Sequence, residues 1–350
     1  STSHPKGLYF LYSTEMWERF NFYGMRAILS LFLVSALSFK QDEAAILYGG
    51  FLGLSYLTPM LGGYISDRYI GNRNSIIGGG LAMAIGQLLL FSSASSFNLD
   101  VPFATNLMWS GLLFLIIGNG FFKPNISSMV GQLYAKGDSR LDAAFTIFYM
   151  GINTGAMLGM LICPWLGDVK VDGVRVIEAF KWGFLAAGAA MLVGTVLFIF
   201  FKGVFLKAPD GSEIGLAPTF SEVKKEDAET EKAEFSTSSI VITSLLFIGL
   251  IIGFHQLFVT EVANPIKDWI YPVIYSAGIS LAFLILRDKT LTKVERDRIW
   301  VMYFVAFFVI FFWAAYEQAG SSLTFIADQQ TDLNFFGIQL PPSSVQNANS

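Results

Sequence analysis

Residues 299–316 form a run of 18 residues without one charged side chain. A bilayer core takes about 20 apolar residues per helix, so a run of this kind fits a membrane span. Residues 104–117 are largely apolar on every side too, without the strict in–out alternation of an outer-membrane strand. On this criterion nine hydrophobic helices are expected, centred near Gly24, Tyr56, Met83, Leu115, Ala156, Met191, Leu250, Ser280 and Val309. Composition agrees, with 53% hydrophobic and only 14% charged residues, against roughly a quarter charged in an average soluble chain. The expected class is an all-α polytopic membrane protein with the lipid bilayer as its surroundings. The opening residues lack the charged region and Ala-x-Ala site of a cleavable signal peptide, so none is expected.

The same numbers exclude other classes. Disordered chains are poor in aromatics and rich in charge, whereas this one carries 34 Phe. Cys163 has no partner for a disulfide. A net charge of −4 gives no basic face for nucleic acid. His4 and His255 lie far apart in the chain, giving no metal or triad arrangement, and no Walker or GxGxxG loop occurs. Gly78-Gly79-Gly80 lies inside a span and is expected to serve close helix packing.

Lys and Arg set the orientation, because positive loops stay cytoplasmic. Of the 23, fifteen fall on the side of the N-terminus, five on the opposite side and three inside spans. The N-terminus is therefore expected in the cytoplasm, although the loop at residues 167–181 places Lys170, Arg175 and Lys181 on the outer side. Residues 202–234 hold thirteen of the fifty charged residues and read as a solvated linker, with a short surface helix from Phe220 onward. Six helices before a charged linker point to half of a major-facilitator fold, built as three plus three inverted helices.

Ionisable groups inside a span are costly, about 2.5–3.5 kcal/mol each on insertion scales, and mark candidate functional sites. The first helix has four: Glu15, Glu18, Arg19 and Arg26. At about 100° per residue they share an arc of about 140° with Phe22 and Tyr23, opposite an apolar face of Trp17, Ile28 and Leu31. The other reading is a helix end whose charges snorkel to the interface; Glu15 is near enough to the end for that, and Arg26 is not. Lys123 follows Gly118-Asn119-Gly120-Phe121-Phe122, where the glycines permit close helix approach and Pro124 loosens the backbone. It is either a functional cation or a lysine snorkelling to the cytoplasmic surface beyond Tyr134. Glu317 is expected two-thirds along a helix over residues 298–327, about 45 Å long. A carboxylate out of water without a counter-ion favours its neutral form, which makes Glu317 a candidate proton carrier; a structural ion pair is the alternative. Tyr56 and Asn153 are polar groups within spans, open to ligand contact or an interhelical hydrogen bond, and Cys163 is expected as a packed small residue.

These residues carry a family resemblance. Glu15-Met16-Trp17-Glu18-Arg19-Phe20-Asn21-Phe22-Tyr23-Gly24 resembles the ExxERFxYYG signature of the proton-coupled oligopeptide transporter family, a branch of the major facilitator superfamily. Residues 118–127, with Lys123, resemble its second signature; residues 148–155, with Asn153, its helix-five motif; and residues 317–322 its helix-seven motif. Residues 63–73 are similar to the general facilitator loop between helices two and three. The resemblance implies a proton-coupled symporter of di- and tripeptides, not an enzyme, working as a monomer in a bacterial inner membrane with the proton as coupling ion and no other cofactor. It implies Glu15, Glu18 and Arg19 as the proton-linked cluster, Arg26 and Lys123 on the peptide carboxylate, and Tyr23, Tyr56 and Asn153 on its backbone. Glu317 would be the protonatable partner of Arg26, and Trp313 a cavity wall. Another small anion such as nitrate, an ion channel and a membrane-embedded enzyme are the alternatives, the last lacking any nucleophile or metal cluster in the sequence.

The domains expected on this basis are a six-helix bundle over residues 1–202, the linker over 203–236, two inserted helices of bacterial type over 237–290, and the first helix of the C-terminal bundle with an extracellular loop over 291–350. Phe22 departs from the signature, which has Tyr there, so a hydroxyl is lost. Five of twelve core spans are missing, including the one with an acid for the peptide amino terminus, so the 350 residues are expected to be part of a longer protein.

Overall fold

A computed structural model of the chain describes residues 3–219 and 235–349. The nine expected centres each fall within a helix: α1 (Lys6–Ala36), α2 (Gln41–Ile65), α3 (Asn72–Ser96), α4 (Val101–Gln132), α5 (Leu141–Gly167), α6 (Phe180–Phe205), α7 (Thr237–Phe258), α8 (Tyr271–Leu286) and α9 (Lys293–Tyr316). A short α10 (Ser322–Gln330) follows. Among the described residues, eight helical stretches are long and apolar enough to cross a membrane. The 31-residue α1 stands apart from them, with Glu15, Glu18, Arg19 and Arg26 along its length.

Helix starts follow from local chemistry. The Asp100 carboxylate accepts from the Phe103 backbone at the head of α4, and Thr292 and Glu295 close a reciprocal capping box on α9. Between α2 and α3 the chain makes a π-helical turn, Ser66–Ile70, and leaves it through Gly71 at φ 80°.

The chain divides into two compact units. The first comprises Ser1–Phe51, Ser55–Pro218 and Ala319–Ser350. Within it α1 packs on α5 and α6, and α3 on α4 and α6. The apolar stripe expected on α1 meets α6, where Ile28 lies over Gly183 and Trp17 over Gly194. Along the α3–α4 seam, a Cβ on Gly79 or on Gly118 would sit 2.6 Å from the other's carbonyl oxygen, so only glycine allows that approach. Gly78, by contrast, faces open space, so only two of the three consecutive glycines serve packing. Cys163 is buried, its sulfur against Gly24 in the α1–α5 seam.

The linker differs from a plain tether in its first part. Residues 202–205 complete α6, and residues 206–218 pack as a strap with Leu206 and Ile214 buried. Arg73 holds it, donating to the Leu206 carbonyl and to Glu213, each at 2.8 Å, while its backbone N–H donates to Gly215 at 2.9 Å. The surface helix expected from Phe220 lies outside the described residues.

Between α5 and α6, strands β1 (Lys170–Val171) and β2 (Val174–Arg175) form a hairpin turned by Asp172 and Gly173, both at positive φ. Arg175 donates to Asp168 at 2.9 Å and to both oxygens of Asp328 at 3.0 and 2.8 Å, and Lys170 reaches Asp328 at 2.6 Å. Asp168 also accepts from the Ser343 N–H and hydroxyl at 3.0 and 2.7 Å. Two of the three positive residues that run against the orientation rule are thus committed to ion pairs. Burial opposes the charge on Asp328, but the hydrogen bonds from Arg175 and Lys170 outweigh it and hold the carboxyl below its ordinary range.

The second unit comprises Leu52–Leu54 and Thr219–Gln318. Its helices α7 and α8 pack together, with His255 stacked on Trp269 at 4.0 Å between ring centres. No residue of α9 is buried. The continuous helix expected over residues 298–327 is not formed. The α-helix stops at Tyr316, a 3-10 turn runs Glu317–Gly320, and Ser321 at φ −131°, ψ −95° separates it from α10. Two carbonyls are drawn away from helical bonding there: Ser30 donates its hydroxyl to Gly320 O at 2.6 Å, and Thr324 donates its own to Ala319 O at 2.7 Å. Gly and Ser are weak helix formers, which lets these local bonds win.

Candidate functional site

The charges of α1 lie inside the first unit. Glu15, Glu18, Arg19 and Arg26 are 2%, 0%, 4% and 6% exposed, so the snorkelling reading does not apply to Glu15. Arg19 Nε donates to Glu18 and lies 3.1 Å from a Glu15 carboxylate oxygen, so one guanidinium nitrogen faces two acids. Its Nη2 donates to Asn119 Oδ1 at 3.3 Å, and Asn119 in turn donates to the Ser55 carbonyl at 2.8 Å. The spacing of i and i+4 on α1 makes the Glu15–Arg19 contact; the close α2–α4 approach through Gly62 and Gly120 brings Asn119 to it.

Aromatic rings complete the surroundings. The Arg19 guanidinium sits 5.3 Å from the Phe22 ring centre, and Phe22 stacks on Phe51 at 5.8 Å. Phe22 is buried in this stack, so the hydroxyl lost relative to the signature leaves an apolar floor under Arg19. Arg26 lies between Tyr23 and Tyr48, at 5.1 and 5.6 Å. The Lys123 ammonium lies 4.8 Å from the ring centre of Tyr56, on an α4 that continues through Pro124 to Gln132. It also feels the charges of Glu15, Glu18 and Arg19. Three cations against two acids leave this group a formal excess of one positive charge when both acids are ionised.

Six of the ten expected residues thus connect through contacts in the first unit: Glu15, Glu18, Arg19, Tyr23, Arg26 and, through its charge, Lys123, which carries Tyr56 with it as a seventh. Tyr56 is 53% exposed. Asn153 is exposed on α5, next to Thr154, whose hydroxyl pairs with that of Tyr12 at 3.0 Å. Trp313 and Glu317 belong to the second unit; Trp313 is 48% exposed and packs edge-on to Tyr316 at 5.4 Å, and Glu317 is half-buried at the head of its 3-10 turn. Asn119 and Tyr48 are additions that the sequence reading did not single out. Asn119, a polar residue between two glycines inside a span, offered a signal; Tyr48 offered none.

Comparison with known proteins gives the context. The POT family (PTR2) profile matches residues 73–350. Peptide transporter YePEPT of Yersinia enterocolitica is 29% identical over 353 residues, covering 99% of this chain and 65% of the relative. Dipeptide and tripeptide permease A of Chromobacterium violaceum is 28% identical, covering 99% of this chain and 62% of the relative. The chain therefore spans a little under two thirds of the length of these relatives. A POT family transporter solved in complex with 5-aminolevulinic acid superposes with a TM-score of 0.75 at 28% identity, over 99% of this chain and 67% of that one. The candidate spans and the likeness to a solved transporter make this chain part of a multi-pass membrane protein of the major-facilitator type, and the chain belongs to the POT family.

Proposed function

We propose that the protein of which these residues are part is a proton-coupled symporter importing di- and tripeptides by alternating access, with the N-terminus cytoplasmic in a bacterial inner membrane. Its work is transport and not catalysis, and it functions as a monomer. One observation carries the reading: two acids and two cations buried on α1, with the half-buried Lys123 of α4 as a third cation, are backed by aromatic rings. A net positive, largely dry group suits an anionic carboxylate, because charge-assisted hydrogen bonds are strongest out of water.

In this reading Arg26 and Lys123 take the peptide carboxylate, while Tyr23, Tyr56 and Asn153 contact its backbone and Trp313 walls the cavity. Binding engages Arg26 and releases Glu317, and a carboxylate that has lost its partner away from water holds a proton. Glu15, Glu18 and Arg19 form the proton-linked cluster beside it. Moving one charge through 100 mV supplies about 2.3 kcal/mol for accumulation. The proton is the coupling ion, and no other cofactor enters the reading.

The test is uptake of a labelled dipeptide by proteoliposomes under an imposed pH gradient, inside alkaline. Accumulation above equilibrium that collapses with a protonophore is the expected result. Uptake that ignores the gradient overturns proton coupling, and nitrate uptake unaffected by di-alanine would identify another anion as the substrate.

A further inference from the structure

Three residues outside the expected set converge beside Arg26. Ser30 lies one helical turn beyond Arg26 on the same face of α1. It is fully buried, and its hydroxyl donates to the Gly320 carbonyl at 2.6 Å. Tyr48 on α2 is 2% exposed and turns its ring to the Arg26 guanidinium, 5.6 Å from the ring centre. The hydroxyl end of the same ring meets Gly320 so closely that a Cβ there would overlap it. Gly320 closes the 3-10 turn that begins at Glu317. One backbone position is therefore gripped by Ser30 and Tyr48, and Tyr48 bears on the cation at its other contact.

We infer that Ser30 and Tyr48 are positioning residues for transport: they seat the turn after α9 and, through the Tyr48 ring, tie that seat to the orientation of Arg26. This rests on the transport reading above. A cation–ring contact depends on how squarely the cation faces the ring. A Tyr48 ring held at both ends keeps Arg26 in one presentation, and a ring released from Gly320 does not. The seat thus acts on the coupled step, in which the turn and Arg26 change together, more than on peptide binding itself.

Tyr48→Phe keeps the ring and removes its hydroxyl, and Ser30→Ala removes the hydrogen bond to Gly320. Both are made in the full-length transporter and compared with wild type in proteoliposomes, for gradient-driven accumulation of a labelled dipeptide and for counterflow exchange. Ser30→Ala is expected to lower accumulation about five-fold, the worth of roughly one hydrogen bond, and Tyr48→Phe, which gives up the packing of its hydroxyl on Gly320, by a smaller factor; both are expected to shift the pH profile. The half-saturating dipeptide concentration in exchange should stay within about two-fold of wild type. Wild-type accumulation and pH profile in both variants overturn the inference. Equal loss of exchange and accumulation overturns it too, since that marks a purely structural role. If wild type itself accumulates no dipeptide, the transport reading fails and takes this inference with it.

Discussion

Arg175 holds both oxygens of Asp328, at 3.0 and 2.8 Å, while its Nε reaches Asp168 at 2.9 Å. One guanidinium serves two aspartates and ties the α5–α6 hairpin to the segment that follows α9. Arg175→Met leaves Asp168 to Ser343 and Asp328 to Lys170 alone, and losing a hydrogen bond between charged groups costs about 1.5–3 kcal/mol. The melting temperature followed by tryptophan fluorescence in detergent should drop clearly. An unchanged melt would mean that the pair contributes nothing to stability.

The same pair sets the acid response. Asp328 has its folded pKa held below the ordinary carboxylate value, so its stabilising contribution is complete above that value. The contribution is lost as pH falls from the ordinary value through the lowered folded one. A plot of melting temperature against pH should therefore bend downward below the ordinary carboxylate range, and the bend should shrink in Asp328→Asn. Identical curves for the two proteins would refute this.

Arg26 and the peptide should be separable from folding. Arg26→Ala is expected to raise the half-saturating dipeptide concentration at least about ten-fold, since a hydrogen bond to a charged group is worth about 1.5–3 kcal/mol. Purified yield should change far less. Equal loss of yield and affinity would make Arg26 a structural residue.

Glu317→Gln keeps the shape of the side chain and removes its proton exchange. Gradient-driven accumulation should disappear, while counterflow exchange of dipeptide persists. Accumulation that survived the change would remove Glu317 from the proton path.

Gly155 tests the scaffold under the charges. A Cβ there would meet the Met16 carbonyl and approach the Arg19 Cβ to 2.9 Å, so any side chain pushes α1 away from α5. Overpacking of this kind costs about 1–3 kcal/mol. Gly155→Val should lower the melting temperature and weaken dipeptide exchange together, because Arg19 moves with its helix.

The spans were legible because each apolar run is long, and because helical periodicity gathers Glu15, Glu18, Arg19 and Arg26 on one side of α1. Scarcity of charge made those residues conspicuous. What periodicity does not carry is contact between helices. Asn119 reaches Arg19 because Gly62 and Gly120 let two backbones close on each other, a three-dimensional event. Ser30 and Tyr48 are uncharged, and nothing in their sequence surroundings sets them apart from packing residues. The break after Tyr316 was hidden for a similar reason: the hydroxyl that draws off the Gly320 carbonyl belongs to Ser30, 290 positions away. The strap over residues 206–218 was hidden by its charges, since Lys207, Asp210 and Glu213 read as solvent-seeking until Arg73 is seen to claim Glu213.

Cys163 is the single cysteine of the 350 residues, and its sulfur is sealed against Gly24 where α1 meets α5. A thiol enclosed in that way is out of reach of maleimides and nitroxide reagents while the protein is folded. For these residues the natural sequence thus serves as its own unreactive background for labelling. A reporter thiol placed at exposed Asn153 or Trp313 can be modified alone, without replacing Cys163 and so without disturbing the seam that carries α1.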